Sequence, residues 1–499
     1  MTPTLRSTHL IALGLLAFGS ALAAPPGSVS EAARQVCKGQ ATSESLVQAA
    51  VARARAVTAL NAFVTLDEAG ALATAREVDK LHVSQPKSCL PLLGVPIVVK
   101  DNIEVAGLPN TGGTPALKGY VPKADAPVVA RLRKAGAVVI GKTQLHELAF
   151  GISGWNPTYQ TGPEPGVRNA YDPTRAAGGS SAGTAAALGA GVVLAGLGTD
   201  TGGSVRIPCA FNGCASLRPS VGRYPLAGIL PISTTRDTAG PMARSIADVE
   251  LLDRVITGRK ALKPLPLRRV RLGLVQEFLA HMDDDTQRAF QAAVNKLKAE
   301  GVKFIDVSMP LVNDLNAQVG FPVALYEAHD AVSAYLKTTG TGLTIEAMAA
   351  QIASPDVKGT YQGLVIPRKL PGPNGTLVDA KPAYDAAMKT ARPDLQALYR
   401  RAFAKYGVDG LVFPTVPKVA MAANAESSSV AVFMATIQNT DPGSNAGVPG
   451  VQIPIGLGQD SKLPIGLEID GPAGGDLRLL RVALAVEAAL GRLPAPAGR

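Results

Sequence analysis

Two glycine-serine clusters carry residue types that could do chemistry: Gly178-Gly179-Ser180-Ser181-Ala182-Gly183, and Gly198-Thr199-Asp200-Thr201-Gly202-Gly203-Ser204. The second ends on a serine. Successive backbone N–H groups in a glycine-rich turn can converge on one point and hold the developing oxyanion of an attacked carbonyl. Thr201, Gly202, Gly203 and Ser204 are the expected donors. A serine hydroxyl is a weak nucleophile without a base. The usual base is histidine, and neither cluster contains one. A lysine kept neutral by burial can accept the proton instead. Lys100 closes the apolar run 95–99, at the end of an expected buried strand.

Either feature alone has a bland reading, since glycine-rich turns are commonly only tight turns and a strand-end lysine is commonly solvated or paired. Residues 179–183 also fit the G-x-S-x-G nucleophile elbow, which would make Ser181 the nucleophile. That elbow needs an apolar strand before it, whereas 169–178 is polar and contains Pro173, and no histidine follows His329 to complete a late triad. Ser204 therefore remains the expected nucleophile.

The elements that must position these groups follow from periodicity. Residues 42–57 read as an amphipathic helix, 62–66 as a short strand and the stretch from Asp67 as a second helix. Pro127 opens a helix that Gly136 ends, and 137–140 reads as the next strand. The same order recurs at 284–300 then 302–307, and at 395–406 then 411–413. Helices alternating with short apolar strands predict an α/β fold, with a mixed, mostly parallel sheet covered by helices on both faces. Residues 151–245 are richer in Gly, Ser, Thr and Pro, and so long a stretch in a compact domain points to a site.

With 499 residues, 46% apolar and 18% charged, the chain can bury a large core and carries no disorder signature. Arg6, an apolar run over 10–23 and the small residues Ala21 and Ala23 have the layout of a signal peptide, 1–23, which predicts a periplasmic or secreted protein. Removing it takes only the charge of Arg6 from the formal +10, leaving +9. The basic residues are scattered with few aromatics between them, which argues against a nucleic-acid partner. No second segment is long and apolar enough to span a membrane. The four cysteines form no CxxC pair, so a zinc site is not expected. Cys37 and Cys89 could form a disulfide in an oxidising compartment or stay free, and Cys209 and Cys214 read as plain core.

At this point the motifs converge. Residues 91–102 (PLLGVPIVVKDN), 141–151 (GKTQLHELAFG), 171–183 (YDPTRAAGGSSAG), 198–208 (GTDTGGSVRIP), 237–248 (DTAGPMARSIAD), 447–456 (GVPGVQIPIG) and 463–467 (LPIGL) resemble the amidase signature family. The resemblance spans nearly all of 24–499, which it makes a single domain. It implies an amide hydrolase whose acyl-accepting serine is Ser204, whose bridging serine, after a cis peptide bond, is Ser180, and whose lysine is Lys100. No metal or cofactor is implied. Ala182 departs from the family's usual glycine. Asp200 and Arg206 are expected to form a bracing ion pair, Ser181 to support the site, and His146 and Glu147 to brace a loop. The stretch 310–446, where the resemblance is weakest, is expected to supply the substrate walls. Residues 218–237 look nearest to the branch of indoleacetamide and mandelamide hydrolases, which implies small aryl or alkyl amides. The expected partner is a small-molecule amide, with room for a homodimer. Three other readings stay open: an esterase or carbamate hydrolase using the same relay, an amidotransferase subunit, and an exported solute-binding protein without catalysis.

Overall fold

Alternation along one strand sets the two layers of the core. Ile97 and Val99 pack with Val139, Leu197 and Leu217 against helices Pro127–Lys134, Ile246–Thr257 and Asp476–Leu490. Val98, between them, points the other way and packs with Val138 and Ile140 against helices Ser43–Ala56 and Ala182–Gly189. Both faces of a sheet buried in this way favour continuous apolar strands. The same parity carries Lys100 to the side of Val98.

The computed structural model describes residues 27–85, 89–160, 162, 164–493 and 496. The leader expected at 1–23 lies outside the described residues. In chain order the strands are β1 (Phe63–Leu66), β2 (Pro96–Lys100), β3 (Val138–Thr143), β4 (Ala195–Asp200), β5 (Ala215–Arg218), β6 (Thr238–Ala243), β7 (Arg271–Val275), β8 (Lys303–Val307), β9 (Lys369–Pro371), β10 (Leu377–Asp379), β11 (Gly410–Pro414), β12 (Gly450–Leu457) and β13 (Pro464–Asp470). Eleven of them form one sheet in the order β1-β3-β2-β4-β6-β5-β12-β13-β11-β7-β8, while β9 and β10 pair apart.

The fold is a single large α/β domain with a mixed sheet flanked by helices, as expected. The parallel share is smaller than the helix-strand alternation predicts. Four neighbouring pairs are parallel, β2 with β3, β2 with β4, β7 with β8 and β7 with β11. The other six are antiparallel. The parallel pairs lie on the two flanks. The centre is built from β4, β6, β5, β12 and β13, and there β12 and β13 are joined by a short connection that needs no crossover helix.

Cys37 and Cys89 are bonded to each other across 52 positions. Cys209 and Cys214 are also bonded, which corrects their reading as plain core. Both are fully buried, but Gly213 in the left-handed region ends the helix Arg206–Asn212 and turns the chain back, bringing their Cα atoms to 4.5 Å. Among the described residues no helix is long and apolar enough to cross a membrane.

A buried ion pair fixes the ends of β2 and β3 relative to one another. Asp101 and Lys142, both with no exposure, lie 3.0 Å apart, and Lys142 Nζ also donates to Asn110 Oδ1 at 2.7 Å. Removing one partner strands the other charge away from water. Lys142→Met is expected to lower stability at pH 7 by about 3 kcal/mol in urea unfolding, and Asp101→Asn in the same chain to recover part of that loss. Equal stability of Lys142→Met and the parent protein would show that the pair does not hold this corner.

Candidate functional site

Two adjacent strands each bury a lysine, and their surroundings differ. Lys142 has a carboxylate partner. Lys100 has none within ion-pair distance among the described residues: its Nζ lies 2.7 Å from Ser180 Oγ and 2.8 Å from Thr199 Oγ1. Burial is the main influence on Lys100 and pushes its pKa down to about 7, with Asp200 and Asp237 partly opposing it. A free-base lysine facing two hydroxyls satisfies its hydrogen bonds without burying a charge.

Ser180 follows a cis peptide bond from Gly179. Its carbonyl accepts from the His146 amide at 3.2 Å, and the next amide, Ser181 N, donates to Ser204 O at 3.1 Å. This last bond lays the two glycine-serine turns side by side. The Ser181 hydroxyl is wholly buried and exchanges bonds with the Thr199 backbone, donating to its carbonyl at 3.1 Å and accepting from its amide at 3.3 Å. A hydroxyl committed to a strand in this way is no nucleophile, which agrees with the sequence argument against the elbow. The Ala182 methyl stands where a Cβ on Gly154 would meet it, so the room for the departure from glycine comes from Gly154.

Ser204 sits just before the helix Arg206–Asn212 and lines a cavity of about 560 Å³, together with Thr201 and Gly202. The turn is braced by charge. Arg206 donates to Asp200 through Nε at 3.1 Å and Nη2 at 3.0 Å, the pairing expected from sequence. Arg218 adds a bond to Asp200 Oδ1 at 2.8 Å, and Arg206 reaches Glu468 and the Ser444 hydroxyl. Burial alone would raise the Asp200 carboxyl, but Arg206 and Arg218 outweigh it and hold the group well below the usual carboxylate range. Sequence reasoning missed Arg218 and Glu468, because partners so far along the chain leave no local pattern.

The far wall of the cavity comes from the stretch expected to supply it. Phe321 on helix Val312–Thr339 packs against Phe433 on helix Val430–Ile437, with ring centroids 5.7 Å apart. Phe150, Ile152 and Ile232 complete an apolar lining near Ser204. His146 and Glu147 fasten this wall to the motif segments. His146 Nε2 lies 2.9 Å from Asp356 Oδ2, and Glu147 accepts from the amides of Ala353 and Ser354. These contacts match the bracing role expected of them. Among the described residues no cluster of His, Cys, Asp and Glu is arranged to hold a metal ion.

Such a sheet, with its paired glycine-serine turns and buried lysine, defines a large hydrolase domain rather than a binding module of two lobes. The amidase family model matches residues 45–480, and the chain belongs to the amidase signature family as an amide hydrolase. It is 44% identical over 469 residues to the mandelamide hydrolase of Pseudomonas putida, covering 94% of this chain and 92% of that one. It is 39% identical over 453 residues to the indoleacetamide hydrolase of Agrobacterium vitis, covering 89% and 93%. The peptide amidase of Stenotrophomonas maltophilia superposes with a TM-score of 0.78 at 29% identity, over 94% of this chain and 98% of that one.

The state of Lys100 sets a pH dependence. Above about 7 the amine is free to accept a proton, and below it the site is already protonated. The rate at which a fluorophosphonate modifies the protein is therefore expected to fall about tenfold per pH unit below that point and to level off above it. A profile flat from pH 5 to 9 would contradict a neutral Lys100.

Proposed function

We propose that the protein hydrolyses small aryl or alkyl carboxamides to acid and amine or ammonia through an acyl-enzyme at Ser204. The observation that carries this reading is Lys100, buried with no carboxylate at ion-pair distance among the described residues and in hydrogen-bond contact with Ser180, whose turn is bonded to that of Ser204.

Ser204 Oγ attacks the carbonyl carbon while its proton passes to Ser180 and the Ser180 proton passes to Lys100 Nζ. The carbonyl oxygen gains negative charge, which the amides of Thr201, Gly202, Gly203 and Ser204 stabilise. As the C–N bond breaks, Ser180 donates a proton to the departing nitrogen and is reprotonated by Lys100. Water loses a proton through the same relay and attacks the Ser204 ester, and as the acid departs the Ser204 oxygen takes that proton back from Ser180. The relay consists of protein groups alone.

An aryl group on the substrate is supported by Phe150, Phe321 and Phe433 around the cavity and by the substrates in the names of the two relatives. Esters and carbamates would suit the same relay, so matched amide, ester and carbamate substrates separate the readings by kcat/KM. Ser204→Ala is expected to lower amide turnover by at least about a thousandfold, and Lys100→Ala to do so with folding nearly intact. Unchanged turnover in either variant would overturn the corresponding role.

We also propose that the protein is exported after removal of residues 1–23. The apolar run behind Arg6 and the Cys37–Cys89 bond support this, since disulfides persist in oxidising compartments. The protein from the periplasm or medium is expected to begin at Ala24 on N-terminal sequencing. A protein that keeps Met1 and stays with the cytoplasmic fraction would refute export.

A further inference from the structure

The amides of the second turn serve an oxyanion only if their N–H groups face the cavity. A trans peptide is planar, with C=O and N–H pointing opposite ways, so holding one carbonyl fixes the direction of the next amide. Three successive carbonyls of this turn are held by side chains. Asp200 O accepts from Arg218 Nη1 at 2.7 Å, Thr201 O from Arg236 Nη2 at 3.3 Å, and Gly202 O from Thr440 Oγ1 at 2.6 Å. The amides sharing those peptide planes are Thr201, Gly202 and Gly203. None of the three donates to a protein acceptor among the described residues.

The last of these planes most needs an external hold. It lies between Gly202 and Gly203, the two residues least able to resist rotation of the peptide between them, and Gly203 has φ +147. A Cβ at Gly203 would collide with Thr440 Oγ1, so the close approach of this hydroxyl requires glycine there. Thr440 is itself fully buried, and the only other acceptor of its hydroxyl among the described residues is Ile437 O, at 3.3 Å. Arg236 is anchored in turn by Gly320 O at 2.7 Å and Asp441 Oδ1 at 2.5 Å.

We infer that Thr440, with Arg236 beside it, is a positioning residue that aims the Gly202 and Gly203 amides at the oxyanion. Thr440 touches the carbonyl side of the turn and acts through the peptide plane. This inference rests on the proposed attack by Ser204.

The test compares Thr440→Val, which removes the hydroxyl at nearly constant volume, with Thr440→Ser, which keeps it. Each is assayed for amide turnover and for inhibition by an aryl trifluoromethyl ketone, which forms a tetrahedral oxyanion on a serine, and by the matching methyl ketone. Thr440→Val is expected to lose about 10- to 100-fold in kcat, with KM changed less than about threefold. Its affinity for the trifluoromethyl ketone is expected to fall by a similar factor while that for the methyl ketone holds, and Thr440→Ser to retain most of both. Unchanged kcat and trifluoromethyl-ketone affinity in Thr440→Val would overturn the inference, as would a rise in KM alone, which would make Thr440 a wall residue. If the valine variant does not fold, Thr440→Ala gives the same readouts without added bulk. Full turnover by Ser204→Ala, measured alongside, would instead remove the attack on which the inference rests.

Discussion

The molecule is organised around the cost of placing a lysine where water cannot reach it. An ammonium in that position needs a carboxylate or gives up its proton. Lys142 takes the first course with Asp101, and Lys100, on the neighbouring strand, takes the second. The two fates are separated by what surrounds each lysine at the neighbouring strand ends. Lys142 meets the Asp101 and Asn110 side chains, whereas Lys100 meets the hydroxyls of Ser180 and Thr199. A basic amine beside a serine is the starting condition for proton transfer, and the turns around it are arranged so that this amine stays free.

Asp200 illustrates that arrangement. It is charged, buried and close enough to favour protonation of Lys100, yet its oxygens are taken up by Arg206, Arg218 and the Val205 amide. The carboxylate therefore braces the turn that bears Ser204 instead of pairing with the lysine. Glu468 and Asp470 extend the cluster on β13, and burial together with the Glu468 charge pushes the Asp470 carboxyl well up.

The remaining structure divides between a fixed side and a fitted side. The motif segments supply the sheet ends, the two turns and Phe150, with Ile152 just beyond. Helices Val312–Thr339 and Val430–Ile437 supply the facing wall with Phe321 and Phe433. His146 and Glu147 join the two sides, because the His146 amide holds the Ser180 carbonyl while its ring meets Asp356. Changes in the wall can thus alter the shape of the cavity without moving Lys100, Ser180 and Ser204, provided these two anchors stay in place.

Much of this was readable from sequence. Lys100 stands out because an unbroken apolar run ends on it, the glycine-serine turns because their composition suits nothing but tight backbone, and the Asp200–Arg206 pair because its members are near neighbours. Helices are marked locally as well, as by the Thr42 capping box and the Asp67 and Asp283 caps. What sequence could not give depends on which strands become neighbours. The antiparallel centre of the sheet, the bond between Cys209 and Cys214, and the reach of Arg218, Arg236, Glu468 and Thr440 to the second turn appear only in the tertiary structure. Periodicity and turn chemistry act over a few residues and so fix the local backbone and the buried face. The convergence of side chains from distant segments is decided by strand order and packing, which no local pattern encodes.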